Sequence, residues 1–126
     1  MKILVDSDVW IDFFKNAPYA TEIIAKLSTE GRITSSILTI TELGAGWTRE
    51  EAIKRLPRFY KLSAILPVTE DAAELAGHFI KQYSLKGISL PTVDTIIGVT
   101  SIINDCELAT RNKKDFPMPE IKFYDF

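Results

Sequence analysis

The sequence has a single cysteine, Cys106, and a single histidine, His78. A lone cysteine excludes an internal disulfide, and neither residue has the partners a zinc site needs. No apolar run reaches the roughly 18 residues of a membrane span, and no signal peptide precedes the first apolar segment. A soluble, cytoplasmic protein is the expectation. Basic charge is not in excess: the formal net charge is −2 over 126 residues, so no global positive field advertises nucleic acid. A nucleic-acid substrate is still compatible with that balance, because a carboxylate cluster adds negative charge while a local basic rim holds phosphates. Repeats, low-complexity tracts and linkers are absent too. What is present is 46 % hydrophobic and 25 % charged residues, an ordinary globular balance that excludes disorder over most of the length. The length suits one domain with one core over residues 1–126.

Met1 to Asp6 reads as a short apolar strand ending in an acid, its apolar residues consecutive as in a strand covered on both faces. Ser7 or Asp8 then caps a helix through Val9, Trp10, Ile11, Phe13 and Phe14. Pro18 suits the first turn of the next helix, whose apolar face is Ile23, Ile24 and Leu27, and Gly31 ends it. Arg32 to Ser36 reads as a second strand. Thr39 is the expected cap of a helix containing Glu42. The charged stretch from Arg49 to Leu62 has helical i,i+4 pairs (Glu50 with Lys54, Glu51 with Arg55), and Pro57 is expected to interrupt it. Ala64 to Val68 reads as a strand. Thr69 caps a helix with the stripe Ala72, Ala76, Phe79, Ile80 and Tyr83. Pro91 to Asn104 reads as a mostly apolar, central helix, Cys106 to Thr110 as a fourth strand, and Ile121 to Tyr124 as a last edge strand. Strands alternate with helices, so the expected class is α/β with a central, mostly parallel sheet of four to five strands. Such sheets place their sites at the carboxyl ends of the strands.

Three carboxylates stand where burial is expected. Asp6 follows the first apolar strand directly. Glu42 lies in Ile37–Leu43, otherwise uncharged. Asp94 is the only charged residue between Lys86 and Asp105. Each, taken alone, also reads as a helix cap or dipole partner. Taken together they lack a basic partner, and a shared divalent cation offsets all three at once. Carboxylate oxygens without a His or Cys cluster select a hard ion, Mg²⁺ or Mn²⁺ rather than zinc. One or two such ions at a phosphodiester support hydrolysis without a protein nucleophile.

After the last central strand comes Leu108 to Phe116. Thr110 and Asn112 are short polar groups leaving a strand end, Asp115 follows closely, and Arg111, Lys113 and Lys114 are positioned to contact phosphates. On its own this stretch reads as a solvated loop; its place after a strand end makes it a candidate rim of the site.

Ile3-Leu4-Val5-Asp6-Ser7-Asp8-Val9, Thr41-Glu42-Leu43 followed by Gly44-Ala45-Gly46, Pro91 to Ile97 around Asp94, and Leu108 to Phe116 together resemble the four motifs of the PIN-domain nucleases. Among these the chain is similar to the VapC-type toxins of toxin–antitoxin pairs, over essentially its whole length. The resemblance implies a three-layer α/β/α PIN-like domain and a Mg²⁺- or Mn²⁺-dependent endoribonuclease. Asp6 and Asp94 would be direct metal ligands, with Glu42 completing the cluster through a water or as a base. Many members have an acid where Asn112 stands, so either Asp115 supplies a fourth carboxylate or the site has three. Ser7 or Thr110 would hydrogen-bond an acid or the attacking water. The implied partners are an RNA substrate, a second copy of the chain, and a small antitoxin whose tail enters the acidic cleft; no membrane is involved.

Two other readings stay open. Asp6-Ser7-Asp8 also resembles the haloacid-dehalogenase-type phosphatases, with Asp6 as nucleophile and Asp8 as general acid, although no later paired acids support it and the chain is short for that fold. Asp8 otherwise serves the helix dipole. A PIN-like RNA-binding module with weak or no catalysis is the second alternative, kept open by Asn112. His78 and Cys106 read as surface or packing residues, Trp10, Phe13 and Phe14 as core or interface, and the basic residues of Arg49–Lys61 as a solvated face.

Overall fold

Three consecutive hydrophobic residues, Ile3, Leu4 and Val5, are fully buried because helices cover both faces of the strand they form. In this computed structural model, which describes residues 1–126, the elements run in the following order. They are β1 (Ile3–Val5), α1 (Ser7–Phe14), α2 (Pro18–Thr29), β2 (Ile33–Ser36), α3 (Ile37–Ala45), α4 (Arg49–Leu62), β3 (Ala64–Leu66), α5 (Glu70–Ser84), α6 (Thr92–Ile103), β4 (Glu107–Ala109) and a 3₁₀ turn (Lys113–Asp115). The four strands form one parallel sheet in the order β3-β2-β1-β4. Val5 pairs with Ala109, and Ile3 with both Ile33 and Glu107. The chain goes from β1 outward through β2 and β3, then returns to lay β4 on the other side of β1. The strand order therefore reverses between β1 and β4, and the carboxyl ends of that pair open the crevice of the sheet.

Alternation along β1 separates two apolar layers. Ile3 and Val5 pack with Trp10, Phe13, Phe14, Ile24 and Phe59 under α1 to α4. Leu4 faces the opposite way and packs with Phe79, Ile97, Leu108, Phe116 and Met118 under α5 and α6. The expected three-layer α/β/α arrangement and mainly parallel sheet are thus present. All three aromatic residues of α1 are core: Trp10 meets Phe59 edge-on at 4.9 Å between ring centroids, and its indole N–H donates to Ser35 Oγ at 2.8 Å.

Several local expectations change. Asp6, not Ser7 or Asp8, is the cap of α1, and Ser36, not Thr39, caps α3. In both places strand turns into helix with no intervening loop, so the cap falls at the strand's end. Thr69 caps α5 as expected, accepting from the Ala72 amide at 3.1 Å. Pro57 does not interrupt α4, which continues to Leu62. The proline is exposed, so the carbonyl it leaves without a donor can bond water. A Thr48–Glu51 capping box at one end and buried Phe59 near the other hold the helix on either side of it. Of the two expected charge pairs on α4, only Glu51–Arg55 forms an ion pair, at 3.2 Å. The Ile121–Tyr124 segment makes a single parallel bridge, Phe123 to Leu108, instead of a full strand.

Gly98 fixes how closely α6 lies against the chain's closing segment. A Cβ there would come within 2.9 Å of Ile121 Cδ1 and 3.0 Å of Phe116 Cδ1. Gly98 stands one turn after Asp94 on α6, so the close approach carries Asp94 toward the segment that holds Asp115.

Candidate active site

Asp6 leaves β1 into the crevice and is only 4 % exposed. Its Oδ1 accepts from the Ser7 amide at 2.7 Å, and its Oδ2 accepts from the Thr110 hydroxyl, just past β4, at 2.9 Å. Neighbouring strands β1 and β4 thus hold one carboxylate between them. Burial, and then the charge of Asp8, push the Asp6 carboxyl up to about 7, with Asp94 adding to the effect and the two hydrogen bonds opposing it.

Ser7 turns its hydroxyl the other way. It donates to Glu42 Oε1 at 2.5 Å and lies 2.9 Å from the Thr39 hydroxyl. Thr39, expected as a cap, is instead a fully buried α3 residue one turn before Glu42. Glu42 and Asp94 are half-buried rather than fully enclosed. Burial raises the Asp94 carboxyl, and the charges of Glu42, Asp115 and Asp8 raise it further. Carboxylates from β1, α1, α3, α6 and the 3₁₀ turn therefore share one electrostatic environment.

Asp8 is the participant that sequence reasoning reduced to a dipole partner. Its Oδ1 accepts from the Val9 amide at 2.8 Å. Its Oδ2 accepts from the Arg111 amide at 2.9 Å and from Asn112 Nδ2 at 3.2 Å. Burial raises the Asp8 carboxyl above the usual range. The Asp-x-Asp pattern was the available signal, since it puts one acid at the cap and a second within the first turn of the same helix, at the mouth of the crevice. The structure sets Asp94 within electrostatic reach of Glu42, Asp115 and Asp8, and Asp6 within reach of Asp8 and Asp94. Asn112 turns its side-chain amide to Asp8. Arg111 stacks over the Tyr19 ring at 4.7 Å and lies 3.6 Å from Asp12 on the outer wall of α1.

The four ion pairs of the molecule are Glu30–Arg32, Glu51–Arg55, Asp12–Arg111 and Asp105–Lys122. None engages the five clustered acids. An all-oxygen set of this kind suits a hard divalent cation. No three of these acids are close enough together to hold a metal ion jointly.

A parallel α/β/α sheet whose crevice is lined by unneutralised carboxylates from separated segments defines an acid-cleft α/β protein. The PIN domain model matches residues 3–121, and the chain belongs to the PIN-domain family. It is 33 % identical to Ribonuclease VapC19 of Mycobacterium tuberculosis over 116 residues, 91 % of this chain and 92 % of the relative. It is 30 % identical to Ribonuclease VapC1 of Methanocaldococcus jannaschii, covering 98 % of this chain and 88 % of that one. Among solved structures it superposes on a chain of VapBC-1 from nontypeable Haemophilus influenzae with a TM-score of 0.83 at 21 % identity, covering 99 % of this chain and 98 % of that chain. No helix is long and apolar enough to cross a membrane.

Proposed function

We propose that this chain is a Mg²⁺- or Mn²⁺-dependent endoribonuclease acting as the toxin of a toxin–antitoxin pair. The observation that carries the reading is the cluster of Asp6, Asp8, Glu42, Asp94 and Asp115 at the β1–β4 crevice with no basic residue paired to it. The relatives named ribonucleases and the fold shared with toxin–antitoxin structures support the same class.

Asp6 and Asp94 are the residues assigned to hold the ion, with Glu42 and Asp115 placed to orient its waters. When bound, the ion supplies Lewis-acid chemistry and acidifies water at a phosphodiester. Thr110 and the Ser7 amide fix the Asp6 carboxylate, leaving its rotamer no freedom to drift. Ser7 orients Glu42 to accept a proton from a water in the crevice. Arg111 and Asn112 anchor the loop that brings cationic side chains to the substrate backbone. A small antitoxin, a second copy of the chain and a cytoplasmic setting belong to the same reading.

The phosphatase alternative is disfavoured by the family match, which is to the PIN domain over residues 3–121. A module without catalysis is separated by experiment. Purified protein is incubated with RNA in Mg²⁺ or Mn²⁺, with and without EDTA, beside Asp94→Asn. Cleavage that needs the ion and disappears in the variant is the expected result. Cleavage that persists in EDTA or in Asp94→Asn overturns the proposal.

A further inference from the structure

Beside the acid cluster lies an open cavity of about 540 Å³ lined by Thr110, Arg111, Asn112, Lys113, Lys114 and Phe126. Its lining holds three cationic residues and no acid, an unusual concentration in a chain of net charge −2. Neither lysine takes part in an ion pair; Lys113 Nζ lies 5.4 Å from the Phe123 ring centroid. Thr110, whose hydroxyl donates to Asp6, is also one of the residues lining this cavity, so the two sites adjoin.

Phe126 supplies the cavity's one apolar wall and is 49 % exposed. Its ring lies parallel to Tyr19, at 6.1 Å between centroids and 3° between planes. Tyr19 in turn carries Arg111 over its ring and donates its hydroxyl to Asp12. The Phe126 ring is also stacked against Tyr124, at 6.2 Å between centroids and 26° between planes, so two tyrosines brace it while half of its surface stays exposed. A second cavity that Phe126 borders, of about 290 Å³, sets Glu22 and Asp125 against the single cation Lys26, a net negative lining that disfavours a polyanion there. Charge thus selects the lysine side.

We propose that this cavity holds one nucleotide of single-stranded RNA next to the scissile phosphate, its base stacked on Phe126 and its backbone phosphates on Lys113 and Lys114. The inference rests on the ribonuclease reading for its substrate and adds a subsite to it. Stacking on an aromatic face tolerates any base and needs no hydrogen-bond readout. The subsite accordingly contributes affinity and register along the strand, while base preference arises elsewhere.

The test is a titration of the wild-type chain in EDTA with a 12-nucleotide single-stranded RNA carrying 2-aminopurine, and separately with inorganic polyphosphate. Phe126→Ala is expected to weaken RNA roughly 5- to 30-fold and leave polyphosphate unaffected. Phe126→Trp is expected to restore the RNA affinity. Lys113→Ala with Lys114→Ala is expected to weaken both ligands and to make the salt dependence shallower by about 0.7 in log–log slope for each phosphate contact removed. RNA affinity within twofold of wild type in Phe126→Ala, or an equal loss for RNA and polyphosphate, overturns the subsite. Cleavage measured in parallel separates the two readings. Binding as expected without Mg²⁺-dependent cleavage removes the ribonuclease and keeps the subsite. Cleavage with affinity indifferent to Phe126 does the reverse.

Discussion

Asn112 donates its side-chain amide to Asp8 Oδ2 at 3.2 Å, joining the closing loop to the first turn of α1 across 104 positions of sequence. Asn112 is thus a clasp for an acid. Replacing it by an acid sets two carboxylates against each other. Asn112→Asp is expected to destabilise the metal-free protein by about 1 kcal/mol near pH 8. Denaturant unfolding checks this, and Mg²⁺ should recover more stability in the variant than in wild type.

The pH dependence of the metal-free protein follows from Asp6. Its carboxyl is pushed from an ordinary 3.8 up to about 7 in the folded state. Between those values the folded protein keeps a proton that the unfolded chain has released. Stability therefore falls as pH rises from about 4 to about 7, by at most about 1.4 kcal/mol per pH unit from this group. Asp6→Asn should flatten that slope and abolish cleavage. Urea unfolding at intervals from pH 4.5 to 8 tests it; a slope unchanged in the variant refutes the assignment to Asp6.

Removing the Ser7 hydroxyl frees Glu42 from its 2.5 Å hydrogen bond and leaves buried Thr39 with one fewer partner. Ser7→Ala is expected to cost about 1 kcal/mol in stability and to lower cleavage about tenfold, less than the roughly 10²-fold or more of losing a base outright, because Glu42 itself remains. Thermal melts and single-turnover rates measured on the same preparation would separate the two effects.

At Gly98 there is no room for a branched side chain against Ile121 and Phe116. Gly98→Val is expected to destabilise by about 2 kcal/mol through overpacking. It should also lower cleavage by more than the folded fraction accounts for, because the segment carrying Asp115 must move away from α6. Circular-dichroism melts set beside activity per folded molecule make that comparison.

What was legible in the sequence was local or periodic. The consecutive apolar residues of Ile3–Val5 announced a strand covered on both faces, and Thr69 announced its helix, because each signal lies within a few residues. The isolation of Asp6, Glu42 and Asp94 among apolar neighbours was legible for the same reason. Pro57 misled because an exposed proline removes one hydrogen bond without ending a helix anchored on both sides of it. Thr39 misled because the strand before it ran into the helix without a loop. The clasp of Asn112 on Asp8 and the stack of Phe126 on Tyr19 join opposite ends of the chain. Only the placement of β4 beside β1 creates those neighbours, and no local pattern records it.

The Thr110–Asp6 hydrogen bond has a consequence in time as well as in space. Asp6 is synthesised 104 residues before the Thr110 that holds it. A growing chain that has already built β1, β2 and β3 still lacks the far wall of the crevice. Until β4 lies beside β1, Asp6 has no Thr110 to accept from and the crevice has no far wall.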